Sequence, residues 1–348
     1  MATVRNVATT YLARGNREDL SDMIYNIDPF DCPVMSLARR RKVSNRQFDW
    51  QTEQLPAVQT NAQEEGFQLE REAAQETERL TNVTQISKRD ATVSGSQEAS
   101  NAAGKSSSMA HQMALKSKAL KRDIETALCG YQARNDGSRT GPTAGVARVT
   151  EGISHWLVRE GGNNNSFDSV VGATSDAGKA SGDGAGAAMT AYTAYTPPTG
   201  NARPVFAETH IGEAMEKAYE MGGEPSMLVV PPRMKRTIST FDGRDKSQVR
   251  VGKTESVQTV DVLVTDFGTV KVMPSRWMPK DGNMNIQGNG LLLDPMYLAV
   301  SFFRNFRQYP IARIGDAETR MIVAEWGVEM RNPRAHILFR GFNDGALI

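Results

Sequence analysis

The sequence predicts an α+β protein that throws a long polar arm out of its N-terminal third. Two stretches with helical apolar spacing, Asn16 to Ile27 and Ser106 to Cys129, flank a polar segment running from 46 to about 98. Inside it Phe48, Trp50 and Thr52 alternate with polar residues, and Thr81, Val83, Thr84 and Ile86 favour strand again. From Val257 the period changes from helix to strand. The arm therefore reads as an out-and-back ribbon. With so few apolar residues a two-stranded ribbon cannot hold itself together in water, so it must lie on another surface. No core partner within the chain is obvious, and a neighbouring copy is the expected support.

Each element has a local reason. Asn16 caps the first helix, Glu18 and Asp19 sit at the positive end of its dipole, and Asp28 and Pro29 end it. Pro33 opens a short turn through Val34 and Leu37. The cluster Arg39, Arg40, Arg41, Lys42 reads first as a solvated basic turn or partner for the acidic arm, and second as a patch facing nucleic acid. The long helix has Ser106, Ser107 and Ser108 as cap candidates and carries Met109, Met113, Leu120, Ile124 and Leu128 on one face. Gly130 stops it. Arg134 to Gly145 is loop chemistry. Residues 161 to 205 are rich in Gly, Ala, Ser and Asn with almost nothing to bury, so a surface insertion or mobile loop is expected there.

Beyond the insertion, Thr209 caps a helix with Ile211, Met215, Ala218 and Tyr219, and Gly222 and Gly223 end it. Met227 to Val230 is a buried strand, and Pro231 and Pro232 start a helix reaching Phe241. Val260, Val262 and Val264 pair back on Val270 and Val272 around a turn at Asp266 to Gly268. Leu291 to Leu293, Tyr297 to Phe303, Met321 to Met330 and Ala335 to Phe339 are further strands, the last two joined at Asn332 and Pro333.

Composition narrows the function. The 348 residues carry a formal net charge of +1, without the basic excess of a protein built to grip nucleic acid specifically. Cys32 and Cys129 offer no disulfide framework, which fits folding in a reducing cytoplasm. There is no apolar h-region and no 18-residue apolar run, so secretion and membrane insertion are not expected. Gly252, Lys253 and Thr254 invite a phosphate-loop reading, but Ser247 stands where that motif needs Gly. His111, His155, His210 and His336 form no His-Glu-x-x-His pair, and no Ser lies in Gly-x-Ser-x-Gly. The arm carboxylates Glu64, Glu65, Glu70, Glu72, Glu76 and Glu78 could form an acid/base pair or cation site. They fit a solvated or cross-subunit charged face better, because catalysis needs a walled pocket. No catalytic, cofactor-binding or metal residues are expected, and no cofactor.

The run Asn16-Arg17-Glu18-Asp19-Leu20-Ser21-Asp22-Met23-Ile24-Tyr25-Asn26-Ile27 and the run Ile311-Ala312-Arg313-Ile314-Gly315-Asp316-Ala317-Glu318-Thr319-Arg320 carry a resemblance. So do Val323 to Trp326, Met330-Arg331-Asn332, and Glu216 to Pro225 followed by a strand and a basic helix. Their order resembles a tailed-bacteriophage major capsid protein of the Hong Kong 97 type over nearly the whole chain, 161 to 205 excepted. The resemblance implies an N-terminal arm at 1–45, an extended hairpin loop at 46–98 and a spine helix of the peripheral domain at 99–135. It further implies a peripheral domain with the insertion at 136–205, an axial domain at 206–304 and return strands of the peripheral domain at 305–348.

The implied function is a self-assembling icosahedral head shell around double-stranded DNA, not an enzyme. A tail or portal protein, or an α/β enzyme with a long lid, are the alternative readings. Implied partners are many copies of the chain as pentamers and hexamers, a separate scaffolding protein, a portal, a decoration protein on some shells, and packaged DNA in non-specific contact, with no membrane. The implied location is the virion, after synthesis in the host bacterial cytoplasm. About 45 residues before the loop are too few for a fused scaffold, so a retained N-terminus is expected. Some relatives lock their shells with a Lys–Asn isopeptide bond. Here Asn332 is a candidate acceptor but Lys88 is the only lysine between 46 and 98, so non-covalent locking is expected.

Overall fold

The structure is a computed structural model that describes residues 31–53, 55, 58–68, 76–100, 104–137, 146–159, 166–168, 206–241, 261–278, 289–313, 315–340 and 342. The expected helix at 16–27, the Gly252 to Thr254 motif and most of the 161–205 insertion lie outside these residues. In chain order the elements are α1 (Pro33–Leu37), β1 (Arg39–Lys42), β2 (Gln47–Thr52), β3 (Glu78–Val83), β4 (Gln85–Ser94), α2 (Gly95–Ala99), α3 (Ser108–Cys129) and α4 (Ile153–Arg159). There follow β5 (Ser166–Asp168), α5 (Glu208–Glu220), β6 (Met227–Val230), α6 (Pro232–Ser239), β7 (Val262–Thr265), β8 (Gly268–Pro274), β9 (Gly290–Leu293), β10 (Leu298–Ile311), β11 (Ala317–Met330) and β12 (Ile337–Arg340).

Three sheets result. A four-stranded sheet runs β1-β10-β11-β4, a six-stranded sheet runs β5-β12-β9-β6-β8-β7, and β2 pairs with β3 alone. The alternation of β11 decides how the first sheet is used. Trp326 and Ala324 belong to the core shared with Met109, Met113, Leu120, Ile124 and Leu128 of α3, all buried as their spacing predicts. Arg89 of β4 forks onto Asp123 of α3 at 2.7 and 2.8 Å across the same face. Glu325, Gly327 and Glu329 alternate onto the opposite face. The helix is capped from outside: Ser107 accepts from the N–H of Ala110, and Glu98 of α2 takes the N–H of Met109.

The centre of the six-stranded sheet is buried on both sides, which is why β6 and β9 read as continuous apolar runs, whereas β7 and β8 alternate. Leu228, Val230, Leu292, Ile337 and Phe339 face a core with Ile211, Met215, Ala218, Met234 and Ile238 of α5 and α6. Val229, Leu291, Leu293 and Leu338 face the core of the spine helix. The second core is tied by aromatic edges: Phe206 meets Phe339 and Phe342 at 5.2 and 5.3 Å. The α5 helix is capped at Ala207, whose N–H donates to His210 Nδ1, and not at Thr209. Tyr219 leaves that helix exposed and packs on Phe267.

Four expectations are corrected. The arm is shorter than 46–98, because β4 pairs with β11 along ten residues and α2 follows it, so both belong to the sheet. Arg39 to Lys42 is not a turn but a parallel edge strand on β10. The 304/305 boundary falls inside β10, and β12 joins β9 in the six-stranded sheet. Residues 166–168, inside the expected insertion, pair with β12 as an outer strand.

The ribbon β2–β3 meets β11 at a close approach over Gly327. A Cβ added at Gly327 would sit 2.6 Å from Phe48 Cε1 and 3.0 Å from the Val83 carbonyl oxygen. Gly327→Ala is therefore expected to destabilise the subunit by about 1–3 kcal/mol through overpacking. Urea denaturation monitored by tryptophan fluorescence, with Gly212→Ala as a control that meets no neighbour, measures it.

Candidate assembly interface

The ribbon β2–β3 is where structure and sequence reading differ most. Its base is anchored in its own chain. Phe48, Trp50 and Leu80 are all under one-tenth exposed, Phe48 stacks on Trp50, and Trp50 packs against Trp156 of α4 at 5.6 Å. Alternation puts these side chains on one face of the ribbon. That face, with Gly327 beneath it, supplies the partner the sequence left unidentified.

Polar groups lock the same junction. Asn82 is fully buried, donates from Nδ2 to the Val328 carbonyl at 2.8 Å and accepts the N–H groups of Val83 and Glu151 at Oδ1. Glu325 accepts Thr84 Oγ1 and Arg148 at Oε1 and Arg304 at Oε2. Glu329 accepts Ser301 Oγ at one oxygen and Arg41 and Arg331 at the other. Both carboxylates are almost wholly buried, and each is paired with two arginines. These partners come from β1, the 146–149 segment, β10 and the residue after β11. The arm, the N-terminal strand and the long hairpin are thus wired together.

Past Thr52 and Glu78 the ribbon opens into a loop whose described residues are all exposed. Glu53, Glu64, Glu65 and Glu76 are exposed, as is Glu78; Glu70 and Glu72 lie outside the described residues. The same tip exposes Leu55 (92 %) and Phe67 (57 %), and Val58 is fully exposed. Arg39, Arg40, Arg41 and Lys42 of β1 are exposed at every position, the signature of a sheet's outer edge.

The N-terminal joint carries a perturbed group. Glu125 of α3 accepts the N–H groups of Val34 and Met35 at 2.7 Å each, capping the five-residue α1. Burial pushes its carboxyl up to about 7, against the opposing pull of those two donors. Burial likewise pushes the Cys32 thiol up to about 11 and Cys129 well above its ordinary value. Trp277 Nε1 donates to the Asp31 carbonyl at 2.7 Å and lies under Arg122 of α3, so the chain entering α1 is tied to the segment after β8.

The remaining candidate residues have structural employment. His155 bonds buried Glu151 at 2.6 Å. His336 is buried, accepts the Asp294 N–H, and burial lowers its pKa to about 4, keeping it neutral. Asn332 accepts the Arg334 N–H to cap a short 3₁₀ turn, and Lys88 sits on β4 opposite Val323, away from the loop. The residues that sequence reasoning missed are Gly327, Asn82, Glu325 and Glu329. Only Gly327 carried a signal, a lone glycine within a β-rich run that implies close backbone approach.

Comparison with known proteins agrees with this architecture. A curated major capsid protein of Escherichia phage Phieco32 is 26% identical over 355 residues, 94% of each chain. Among solved structures, the capsid of a native GTA particle matches with TM-score 0.59 at 13% identity, over 96% of this chain and 97% of that one. The capsid of cyanophage P-SCSP1u matches with TM-score 0.58 at 11% identity, over 97% and 96%. The fold is the Hong Kong 97 type of phage capsid proteins.

The Glu125 titration is testable. Its native value near 7 lies above its ordinary 4.5, so the native joint holds a proton that the unfolded chain releases. Stability is therefore expected to fall as pH rises from about 4.5 to about 7 and to level off above that. The difference in unfolding free energy between wild type and Glu125→Gln, followed from pH 5 to 8, should drift in that window; a constant difference would remove Glu125 as the cause.

The model of the SU10 major capsid protein family matches residues 3–343, and the chain accordingly belongs to that family and is a component of the phage capsid shell.

Proposed function

We propose that copies of this chain, as pentamers and hexamers, close an icosahedral head around double-stranded DNA and hold it without covalent cross-links. The observation that carries this is the asymmetry of the arm: a base locked into its own chain by Phe48, Asn82 and Glu325, and a tip whose described acids, with Leu55, Val58 and Phe67, are exposed. Such an arm is a rigid lever with a sticky end, suited to reaching a neighbour. The four-stranded sheet with α3 serves as the peripheral domain and the six-stranded sheet with α5 and α6 as the axial domain.

No catalytic role is assigned to any residue, and no cofactor or metal. Asn332 is engaged in its own turn and Lys88 lies in the sheet, which supports locking by many weak contacts. Exposed ion pairs contribute about 0–1 kcal/mol each, so stability comes from repetition over the shell. A separate scaffolding protein, a portal, a decoration protein on the outer surface and non-specific contact with packaged DNA complete the partner set, with synthesis in the host bacterial cytoplasm.

Two measurements test the reading. Sedimentation of the assembled protein should give closed particles of megadalton mass, and small oligomers would contradict it. Virions boiled in detergent should run as one band near 38.1 kDa, and a ladder of covalent multimers would contradict non-covalent locking.

A further inference from the structure

We infer that β1, the edge strand Arg39–Lys42, is the receiving surface for the acidic arm tip of a second copy of this chain. The inference rests on the capsid reading and names the contact through which one copy holds the next.

The acceptor is a bare edge. β1 pairs with β10 on one side, and no strand among the described residues pairs with its other side. An open edge presents unpaired N–H and C=O groups that an extended segment can match. Its four side chains are all cationic and all exposed. Arg41 is committed to Glu329, but no ion pair involving Arg39, Arg40 or Lys42 is found among the described residues.

The occupant is chosen by charge and form. The loop from 53 to 77 carries Glu53, Glu64, Glu65, Glu70, Glu72 and Glu76 against Arg71 alone, a net of −5 from six acids and one base. Its described part has no regular structure to give up on docking apart from a turn at Glu65 and Gly66. The segment 1–30, which leads into α1 and β1, has three arginines (Arg5, Arg14, Arg17) and four acids (Glu18, Asp19, Asp22, Asp28), a net of −1. Electrostatic matching therefore favours the loop.

The loop of the same chain is carried away from its own β1. Phe48 packs over Gly327, which pairs with Ser301, the residue beside Arg41; the ribbon thus starts across the sheet from β1. From there the four residues of β2 beyond Phe48, at ~3.3 Å each, take its open end about 13 Å further on, past Trp156. A second copy's loop meets no such constraint. Repeated around a capsomer, the contact is head-to-tail, which closes a ring.

A charge swap tests this, with protein co-expressed with the scaffolding protein of its phage and no packaged DNA. The wild type should give closed shells by sedimentation and negative-stain microscopy. Arg39→Glu, Arg40→Glu and Lys42→Glu together should abolish the shell peak, as should Glu53→Lys, Glu64→Lys and Glu65→Lys together. Combining all six should restore it, a recovery that misfolding of either triple variant cannot produce. Normal shells from the β1 triple variant, or loss in the triples without recovery in the combination, would overturn the assignment. Normal empty shells that lose stability only when filled would point to DNA as the ligand instead. Absence of shells from wild-type protein would overturn the capsid reading itself.

Discussion

Everything outboard of the four-stranded sheet depends on one close approach, the edge of the Phe48 ring against the bare Cα of Gly327. A two-stranded ribbon has too little apolar surface to order itself, so its geometry must be imposed from its root. The imposition is steric first: the ring lies where a Cβ would be, and Val83 closes the same spot from the return strand. Polar satisfaction then fixes direction. Asn82 bridges the ribbon to β11 and to the segment before α4, and every bond it makes would leave a buried partner exposed to loss if it were removed.

The charged residues behind this junction explain how a buried, acidic face is tolerated. Glu325 and Glu329 would be costly alone, and the arginines that neutralise them come from four separate parts of the chain. The arrangement makes the arm, β1 and the β10–β11 hairpin respond together. Glu329 ties the N-terminal strand to β10 and to the residue after β11, and Glu325 ties Thr84 at the end of the ribbon to Arg304 of the long hairpin. Glu125 performs the matching service on the helix side, where it pins α1 to α3.

Much of the fold was legible in sequence because it is periodic. The apolar face of α3 from Met109 to Leu128, the Val262–Val272 hairpin and the doubly buried β6 each carry their environment in their spacing. What was not legible depends on contacts far apart in sequence. Alternation at Phe48 and Trp50 showed that one ribbon face is apolar, but not that Gly327, hundreds of positions away, was shaped to receive it. Arg39 to Lys42 has the composition of a solvated turn, and only the presence of β10 beside it makes it a strand. Of the assembly surface, the acids and their polar loop were readable; the exposed Leu55, Val58 and Phe67, which say that the loop also buries apolar surface, were read simply as part of a polar stretch.

The central claim is that each arm is rooted in its own subunit and ends on the next. A cryo-electron microscopy map of the assembled shell, with residues 47–83 traced continuously, tests it most directly. The account predicts Phe48 over Gly327 of the same chain and the 53–77 loop lying on an adjacent copy. A ribbon whose Phe48 sits on the Gly327 of a different copy, or a loop folded back onto its own subunit, would contradict it.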